Sequence, residues 1–202
     1  MSTLPVAVPH HRNIVAVDIE GSTTRTNPAK GRLRHVMYDL FEEALHASGI
    51  LETHRDALVD RGDGVLALIH PVDEAPKTLL LNTFVPMLSR LLGAHNARSP
   101  LQRLRMRAVV HAGEVHYDRK GRFGEALDVT FRLLDAQEVK GRLRDTESPL
   151  VLVVSDDIYR AVVRHCYEGI DCDAFDQLVT VTVAGQRQLG WVCPAFRSES
   201  VV

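Results

Sequence analysis

Two aspartates at the ends of apolar segments are the residues best suited to chemistry. Asp18 follows the apolar, mostly β-branched run Ile14–Val17, a composition typical of a strand that is covered on both faces. Asp63 lies in the triplet Gly62-Asp63-Gly64, whose residue types favour the tight turn of a hairpin. If the two strands are neighbours, both carboxylates lie at the same end of the sheet and repel each other unless a cation lies between them. A hard, oxygen-ligated ion such as Mg²⁺ fits such a pair.

Each aspartate taken alone has a simpler explanation. Asp and Gly are the commonest turn residues for backbone reasons, so either segment by itself predicts only a turn. The metal-site hypothesis therefore depends on the pair.

Composition predicts an ordinary globular protein. The chain has 202 residues, of which 45% are hydrophobic and 25% charged, enough to bury the core of one domain. A net charge of −2 gives no basic surplus, so we expect no nucleic-acid or membrane partner. No segment has the length and apolar character of a signal peptide or a membrane span, which predicts a cytoplasmic location.

Cysteine and histidine usage gives no metal-binding pattern. Cys166, Cys172 and Cys193 are an odd number without metal-type spacing, so we expect free thiols in a reducing compartment. The histidines are expected mostly at the surface. His10 and His11 fall in a leader that is expected to be loose.

Hydrophobic periodicity and turn residues predict the remaining elements. Residues 1–12 are taken as the leader, 13–196 as one domain and 197–202 as a tail. The predicted helices are 29–47, 75–95 with a kink at Pro86, 125–139 and 156–165. The predicted strands are 13–17, 50–60, 65–69, 104–113, 114–117, 150–154, 178–183 and 189–193, with loops at 118–124 and 140–149. This order predicts an α+β fold with a ferredoxin-like β-α-β-β-α-β core, helices mainly on one face, and an added C-terminal strand-helix-hairpin.

Four motifs in this order resemble the catalytic domain of class III nucleotide cyclases, the adenylate and guanylate cyclase family. The motifs are Val17-Asp-Ile-Glu-Gly-Ser22, Arg61-Gly-Asp-Gly-Val-Leu-Ala67, Met106-Arg-Ala-Val-Val-His-Ala-Gly-Glu-Val115 and Gly124-Glu-Ala-Leu-Asp-Val-Thr-Phe-Arg132. The resemblance extends from Asn13 to about Pro194.

The resemblance implies a reaction and a metal site. A nucleoside triphosphate would be converted to a 3′,5′-cyclic nucleoside monophosphate and pyrophosphate. Asp18, Asp63 and the backbone carbonyl of Ile19 would bind two Mg²⁺ or Mn²⁺ ions per site, and the chain would form a homodimer with shared active sites.

Asp128 and Arg132 lie four residues apart in the last motif. The simple explanation is an i,i+4 salt bridge on a helix. By resemblance, Arg132 would stabilise charge on the α-phosphate in the transition state, and residue 128 would orient the ribose. The family usually has Asn at the latter position, whereas Asp can accept but not donate a hydrogen bond and adds negative charge.

The base and phosphate sites depart from the family pattern. Val59 and Gly121 stand where polar purine selectors are expected, although the short loop leaves Asp118, Lys120 or Arg122 as alternatives for the second. A phosphate-binding Lys near the C-terminus is replaced by Gln186, with Arg187 adjacent.

These departures give two hypotheses. The first is an active cyclase with a non-purine base pocket, similar to the bacterial pyrimidine cyclases of antiphage defence that make cyclic CMP or cyclic UMP. The second is a catalytically degenerate relative that acts as a regulatory or nucleotide-binding module. Retention of both metal aspartates and Arg132 favours the first, and Asp128 together with the absent Lys favours the second.

Overall fold

A mixed β-sheet forms the centre of the fold. The computed structural model describes residues 8–194 and residue 196. The strand order is β2-β3-β1-β4-β6-β8-β7, and β5 pairs with β4 off this path. The strands are β1 His10–Ile19, β2 Val59–Asp60, β3 Gly64–Ile69, β4 Met106–Asp118, β5 Gly121–Phe123, β6 Leu150–Ser155, β7 Asp176–Val183 and β8 Gln186–Cys193.

The helices cover both faces of this sheet, and not mainly one face as predicted. They are α1 Asn27–Ala47, α2 Lys77–Leu79, α3 Val85–Arg98, α4 Glu125–Leu134, α5 Gln137–Asp145 and α6 Asp156–Ala161. Side chains of α1, α3 and α6 share one buried apolar cluster, whereas those of α4 and α5 share another. The α+β class and the ferredoxin-like core with its C-terminal additions are confirmed.

The side chains of β1 alternate between the two faces of the sheet, and this alternation places Asp18 on one of them. Val15 and Val17 belong to the cluster beneath α1, and Ile14 and Ala16 belong to the cluster beneath α4. Because successive side chains of a strand point to opposite faces, Asp18 continues the second set. The carboxylate therefore lies on the face that α4 and α5 cover.

Two glycines permit the close approaches that shape this face. A Cβ on Gly64 would clash with the carbonyl oxygen of Val17, so β3 starts directly against the end of β1. A Cβ on Gly113 would lie 2.7 Å from the Cβ of Ala126, so α4 packs closely on β4. Real Cβ atoms do not approach other atoms this closely, and larger residues would push these elements apart.

Several predicted boundaries are wrong. The segment 50–60 forms a 3₁₀ turn at Glu52–His54 and only the two-residue strand β2, because its polar residues give it little apolar surface to bury. β4 runs without interruption to Asp118, and the hairpin falls at 118–121 instead of 113–114. Gly113 is a site of close packing and not a turn.

The predicted loop 140–149 is mostly the helix α5. Its apolar residues Val139 and Leu143 are both buried, and four residues separate them, which is one turn of helix. The segment was predicted as a loop because many of its residues are charged and only these two form an apolar stripe. The expected break in the second helix takes the form of a π-helical turn, Leu80–Phe84, which ends two residues before Pro86.

The expectations for cysteines and the leader also need correction. Cys166 and Cys172 form a disulfide, although free thiols were expected. β1 already begins at His10, inside the predicted leader, and the tail 197–202 lies outside the described residues. No helix in the described part of the chain has the length and apolar character needed to cross a membrane.

One histidine is not at the surface. His111 on β4 is buried, and its Nδ1 lies 2.8 Å from the hydroxyl of Ser155. Burial lowers the pKa of His111 to about 4. The neutral imidazole therefore belongs to the core.

Gly113→Ala tests the packing of α4 on β4. Because the added methyl group meets Ala126, we expect the free energy of unfolding to fall by roughly 1–3 kcal/mol in urea denaturation. The matched control is Gly93→Ala on α3, where an added Cβ meets nothing within 4 Å. There the gain in helix propensity should raise stability by about 0.5–1 kcal/mol. Equal stability of Gly113→Ala and the parent would show that α4 is free to shift.

Candidate active site

A cleft of about 410 Å³ lies where β1 ends and β3 begins, beneath α4 and α5. Acidic and basic side chains line it in equal number. The acidic ones are Asp18, Glu20, Asp63 and Asp135, and the basic ones are Arg61, Arg107, Lys140 and Arg144. A cleft with this lining suits a ligand that carries both anionic groups and cations.

The backbone brings Asp18 and Asp63 together as predicted. Asp18 pairs with Gly64 in the antiparallel β1–β3 register, and the Ile19 amide donates to the carbonyl oxygen of Asp63 at 2.9 Å. The buried Ser22 donates its hydroxyl hydrogen bond to Oδ2 of Asp63. Both carboxylates line the same cleft.

The cation beside Asp18 in this structure is a guanidinium. Arg107 lies directly opposite Asp18 in the β1–β4 register, and its Nη2 donates to Oδ2 of Asp18. The Arg107 side chain is only 9% exposed, and a second carboxylate oxygen, on Asp135, lies 3.9 Å from Nη2. Burial lowers the pKa of Arg107 from its usual value. This charge depends on carboxylate partners for its stabilisation.

The donor set at this end of the cleft fits a hard divalent ion. Among the described residues, no group of three or more His, Cys, Asp or Glu side chains is arranged to hold a metal. Two carboxylates next to backbone carbonyls nevertheless match the small all-oxygen protein contribution that Mg²⁺ takes in phosphate-binding sites, where water and phosphate supply the remaining ligands. Asp18, Asp63 and the Ile19 carbonyl are the residues that could hold it.

Three of the basic side chains were missed by the sequence analysis. Arg107 lies inside a quoted motif, but only the β1–β4 register shows that it meets Asp18. Lys140 and Arg144 lie in the segment that was interpreted as a loop. Their i,i+4 spacing is the signal that would have placed them on one face of a helix. Arg61 lies in a quoted motif, and its guanidinium stacks 3.7 Å from the centroid of the Phe131 ring.

Asp128 and Arg132 are both exposed on α4 and do not line this cleft. The simple alternative, an i,i+4 salt bridge, is absent from the described part of the chain, where neither side chain has an ion-pair partner. Within one chain, the structure does not bring these two residues to Asp18 and Asp63.

The predicted base-pocket residues lie away from the cleft. Val59 on β2 is half-buried against the apolar cluster beneath α4. Gly121 has φ of +153°, a conformation that L side chains rarely adopt, which explains why a side-chain selector is absent there.

The alternative residues Asp118 and Arg187 also lie away from the cleft. Asp118 accepts hydrogen bonds from the backbone amides of Lys120 and Gly121 at 2.7 and 2.8 Å, so it stabilises the turn. Arg187 on β8 is exposed, and its Nη2 lies 3.4 Å from the hydroxyl of Thr180.

Arg122 belongs to a cluster centred on Asp56. The Asp56 carboxylate accepts a hydrogen bond from the hydroxyl of Tyr117 at 2.7 Å and lies 3.0 Å from Nε2 of His70. Arg12 and Arg122 lie 3.8 and 3.9 Å from the same carboxylate. Burial and the bond to Asp56 raise the pKa of Tyr117 to about 12. Arg122 is therefore held against β4, in a position that the sequence analysis did not foresee.

Comparisons with solved structures identify the fold. The described architecture matches the guanylyl cyclase Cya2 with 16% identity, covering 97% of each chain at a TM-score of 0.63. It matches the adenylyl cyclase CyaB from P. aeruginosa with 12% identity and a TM-score of 0.63, and the match covers 96% of this chain and 98% of that chain. It also matches the non-canonical dimeric guanylyl cyclase domain of the RhoGC fusion protein from Blastocladiella emersonii with 11% identity and a TM-score of 0.58. This match covers 91% of this chain and 96% of that chain.

At these identities the similarity shows the fold alone. The chain has the fold of adenylate and guanylate cyclase catalytic domains, as the class III resemblance of its four motifs predicts. No protein-family model matches the chain, and no curated protein matches it.

The Asp18–Arg107 contact predicts that the two aspartates differ in their effect on stability without metal. Asp18→Asn leaves a buried guanidinium without its nearest carboxylate, and we expect it to lower the free energy of unfolding by on the order of 2 kcal/mol. Asp63→Asn retains an acceptor for Ser22, so its effect should stay within about 0.5 kcal/mol. Both are measured by urea denaturation in chelator. Equal losses in the two variants would contradict the assigned partners.

Proposed function

We propose that this protein is a metal-dependent nucleotide cyclase, which converts a nucleoside triphosphate to a 3′,5′-cyclic nucleoside monophosphate and pyrophosphate. The observation that carries the proposal is the pairing of Asp18 and Asp63 at one end of a cleft with four basic side chains, on a fold shared with adenylyl and guanylyl cyclases. Cyclisation requires metal ligands and phosphate-binding cations together, and the carboxylates and basic side chains of this cleft are suited to these two roles.

Asp18, Asp63 and the carbonyl of Ile19 would hold Mg²⁺ or Mn²⁺, two ions per site. When bound, these ions polarise the ribose 3′-hydroxyl and neutralise the triphosphate. Ser22 fixes one oxygen of Asp63 and leaves the other free to bind. Arg107 likewise binds one oxygen of Asp18, so the other oxygen can bind the ion. The Arg107 guanidinium, with its several N–H donors, would then be available to bind phosphate oxygens as well.

The active site is proposed to be shared between two chains. Arg132 and Asp128 are exposed and lack side-chain partners in the described part of the chain, so they are available to a second subunit. In a two-fold dimer, Arg132 of one chain would stabilise the α-phosphate held by Asp18 and Asp63 of the other, and Asp128 would accept a hydrogen bond from the ribose. One solved neighbour is described as dimeric.

The base pocket is proposed to accept pyrimidines. A site rejects the wrong base mainly through buried polar groups that the wrong base leaves unpaired. Val59 has no polar group, and the backbone at Gly121 disfavours any side chain. Arg122 is held by Asp56 and Tyr117 instead of projecting freely. We therefore favour cyclic CMP or cyclic UMP as the product. The resemblance to the pyrimidine cyclases of antiphage defence extends this proposal to antiphage signalling as the role.

One observation favours a second candidate function, a nucleotide-binding module without turnover. Asp128 cannot donate a hydrogen bond, and it places a negative charge four residues before Arg132 on the helix face proposed to meet the triphosphate. A degenerate module of this kind would bind nucleotide and respond by a change of conformation.

Turnover of each ribonucleoside triphosphate distinguishes these functions. The purified protein is incubated with ATP, GTP, CTP or UTP and with Mg²⁺ or Mn²⁺, and products are detected by mass. We expect metal-dependent cyclic nucleotide, with CTP or UTP converted at least as well as the purines, and no product from Asp63→Asn. Binding without any product would favour the module, and efficient cyclisation of ATP alone would refute the pyrimidine pocket.

Mixed dimers test whether the active site is shared. Asp63→Ala and Arg132→Ala chains should each be inactive alone, because each lacks a group that every site needs. After random pairing, half of the dimers are mixed and half of their sites carry neither substitution, so activity should recover to roughly a quarter of the parent's.

The matched control for this experiment mixes Asp18→Ala with Asp63→Ala chains. Both substitutions fall in the same half-site, so no mixed dimer contains an intact site and no recovery is expected. If the first mixture also stays inactive while labelled subunits exchange, the catalytic groups act within one chain.

A further inference from the structure

We propose that Lys140 and Arg144 on α5 bind the β- and γ-phosphates of the substrate and so replace the absent C-terminal Lys. This inference deepens the proposed function and rests on it. The carrying observation is that both side chains line the cleft of Asp18 and Asp63, whereas Arg187 does not. No other basic residue of α5 lines it.

The structure fixes α5 at the edge of the cleft. Val139 and Leu143 anchor it in the apolar cluster beneath α4. At its C-terminal end, Nη2 of Arg105 donates to the carbonyl oxygen of Leu143 and, at 2.8 Å, to that of Thr146. Capping of the last carbonyls by a cation stabilises a helix end. The helix is therefore a fixed support for the side chains of Lys140 and Arg144.

Lys140 is connected to Asp18 through a chain of charges. Its Nζ lies 3.1 Å from Oδ1 of Asp135, and the same oxygen lies 3.9 Å from Nη2 of Arg107, which binds Asp18. Asp135 is 63% exposed, so its pair with Lys140 is worth less than about 1 kcal/mol. Lys140 can exchange this partner for a phosphate at little cost.

Arg144 lies one helical turn beyond Lys140 and is exposed, without an ion pair in the described part of the chain. Residues four apart on a helix project from the same face, so the two cations are presented together. An ammonium and a guanidinium one turn apart can contact neighbouring phosphates of one chain, the guanidinium with two parallel hydrogen bonds.

The simple alternative is that both residues belong to a solvated helix face. The same helix offers the control for this explanation. Arg142 forms an ion pair with Asp176 on β7 at 3.0 Å and does not line the cleft. A general electrostatic effect of α5 would depend on Arg142 as much as on its neighbours, whereas a phosphate site would not.

Binding of inorganic tripolyphosphate tests the proposal without reference to the base. Affinity is measured by calorimetry with Mg²⁺ present, for the parent and for Lys140→Ala, Arg144→Ala and the double variant. Each lost charge-assisted contact should weaken binding about tenfold. Binding by Lys140→Arg should remain within about threefold of the parent, because the charge is retained. Arg142→Ala should bind like the parent, and the melting temperatures should be unchanged.

The outcomes separate this proposal from the proposed function. Weaker tripolyphosphate binding in the Lys140 and Arg144 variants supports the site even if no nucleotide is cyclised. Unchanged binding in both variants, equal loss in Arg142→Ala, or failure of the parent to bind tripolyphosphate would overturn it. With an active enzyme, Lys140→Ala and Arg144→Ala should raise KM for the triphosphate while affinity for the nucleoside monophosphate stays the same.

Discussion

The contact between Asp18 and Arg107 is the interaction on which the candidate site depends. The two residues face each other across β1 and β4, so the sheet register alone brings them together. A guanidinium as buried as that of Arg107 requires a carboxylate, and a carboxylate next to Asp63 requires a cation. Each charge therefore stabilises the other without metal. In the proposed site, an ion at Asp18 would share this carboxylate with Arg107, so metal binding would weaken the attraction between Asp18 and a cation that lines the same cleft.

Much of the fold could be predicted because its signals are local. The apolar run before Asp18 and the Gly-Asp-Gly turn specify two strand ends, and the antiparallel register then brings the two aspartates together. The prediction failed where tertiary contacts decide the structure. A predicted strand was ended at Gly113, although the lack of a side chain there allows Ala126 to pack closely on β4. Arg107 could not be assigned to Asp18, because 89 residues separate them in sequence.

The exposed residues were the least predictable part of the site. An i,i+4 pair of Asp128 and Arg132 normally predicts a salt bridge, yet both side chains remain separate on the surface of α4. Exposed pairs of this kind are worth only a few tenths of a kcal/mol, so folding does not require them to meet. The stability of the fold therefore does not constrain the positions of these two side chains. Their use depends on a second surface, about which the sequence of one chain carries no geometric information.

Proteins that share this fold need not use the same element to supply the positive charge that binds phosphate. At 11–16% identity, this chain shares with its structural neighbours the path of the backbone and few of its side chains. A triphosphate responds to the charge near its oxygens and not to the element that supplies that charge. In the proposed cyclase, the absence of a Lys from the C-terminal hairpin is therefore tolerable if another element brings a cation to the same cleft. α5 meets this requirement, because its apolar stripe fixes it on the sheet while Lys140 and Arg144 extend into the cleft beside Asp18 and Asp63.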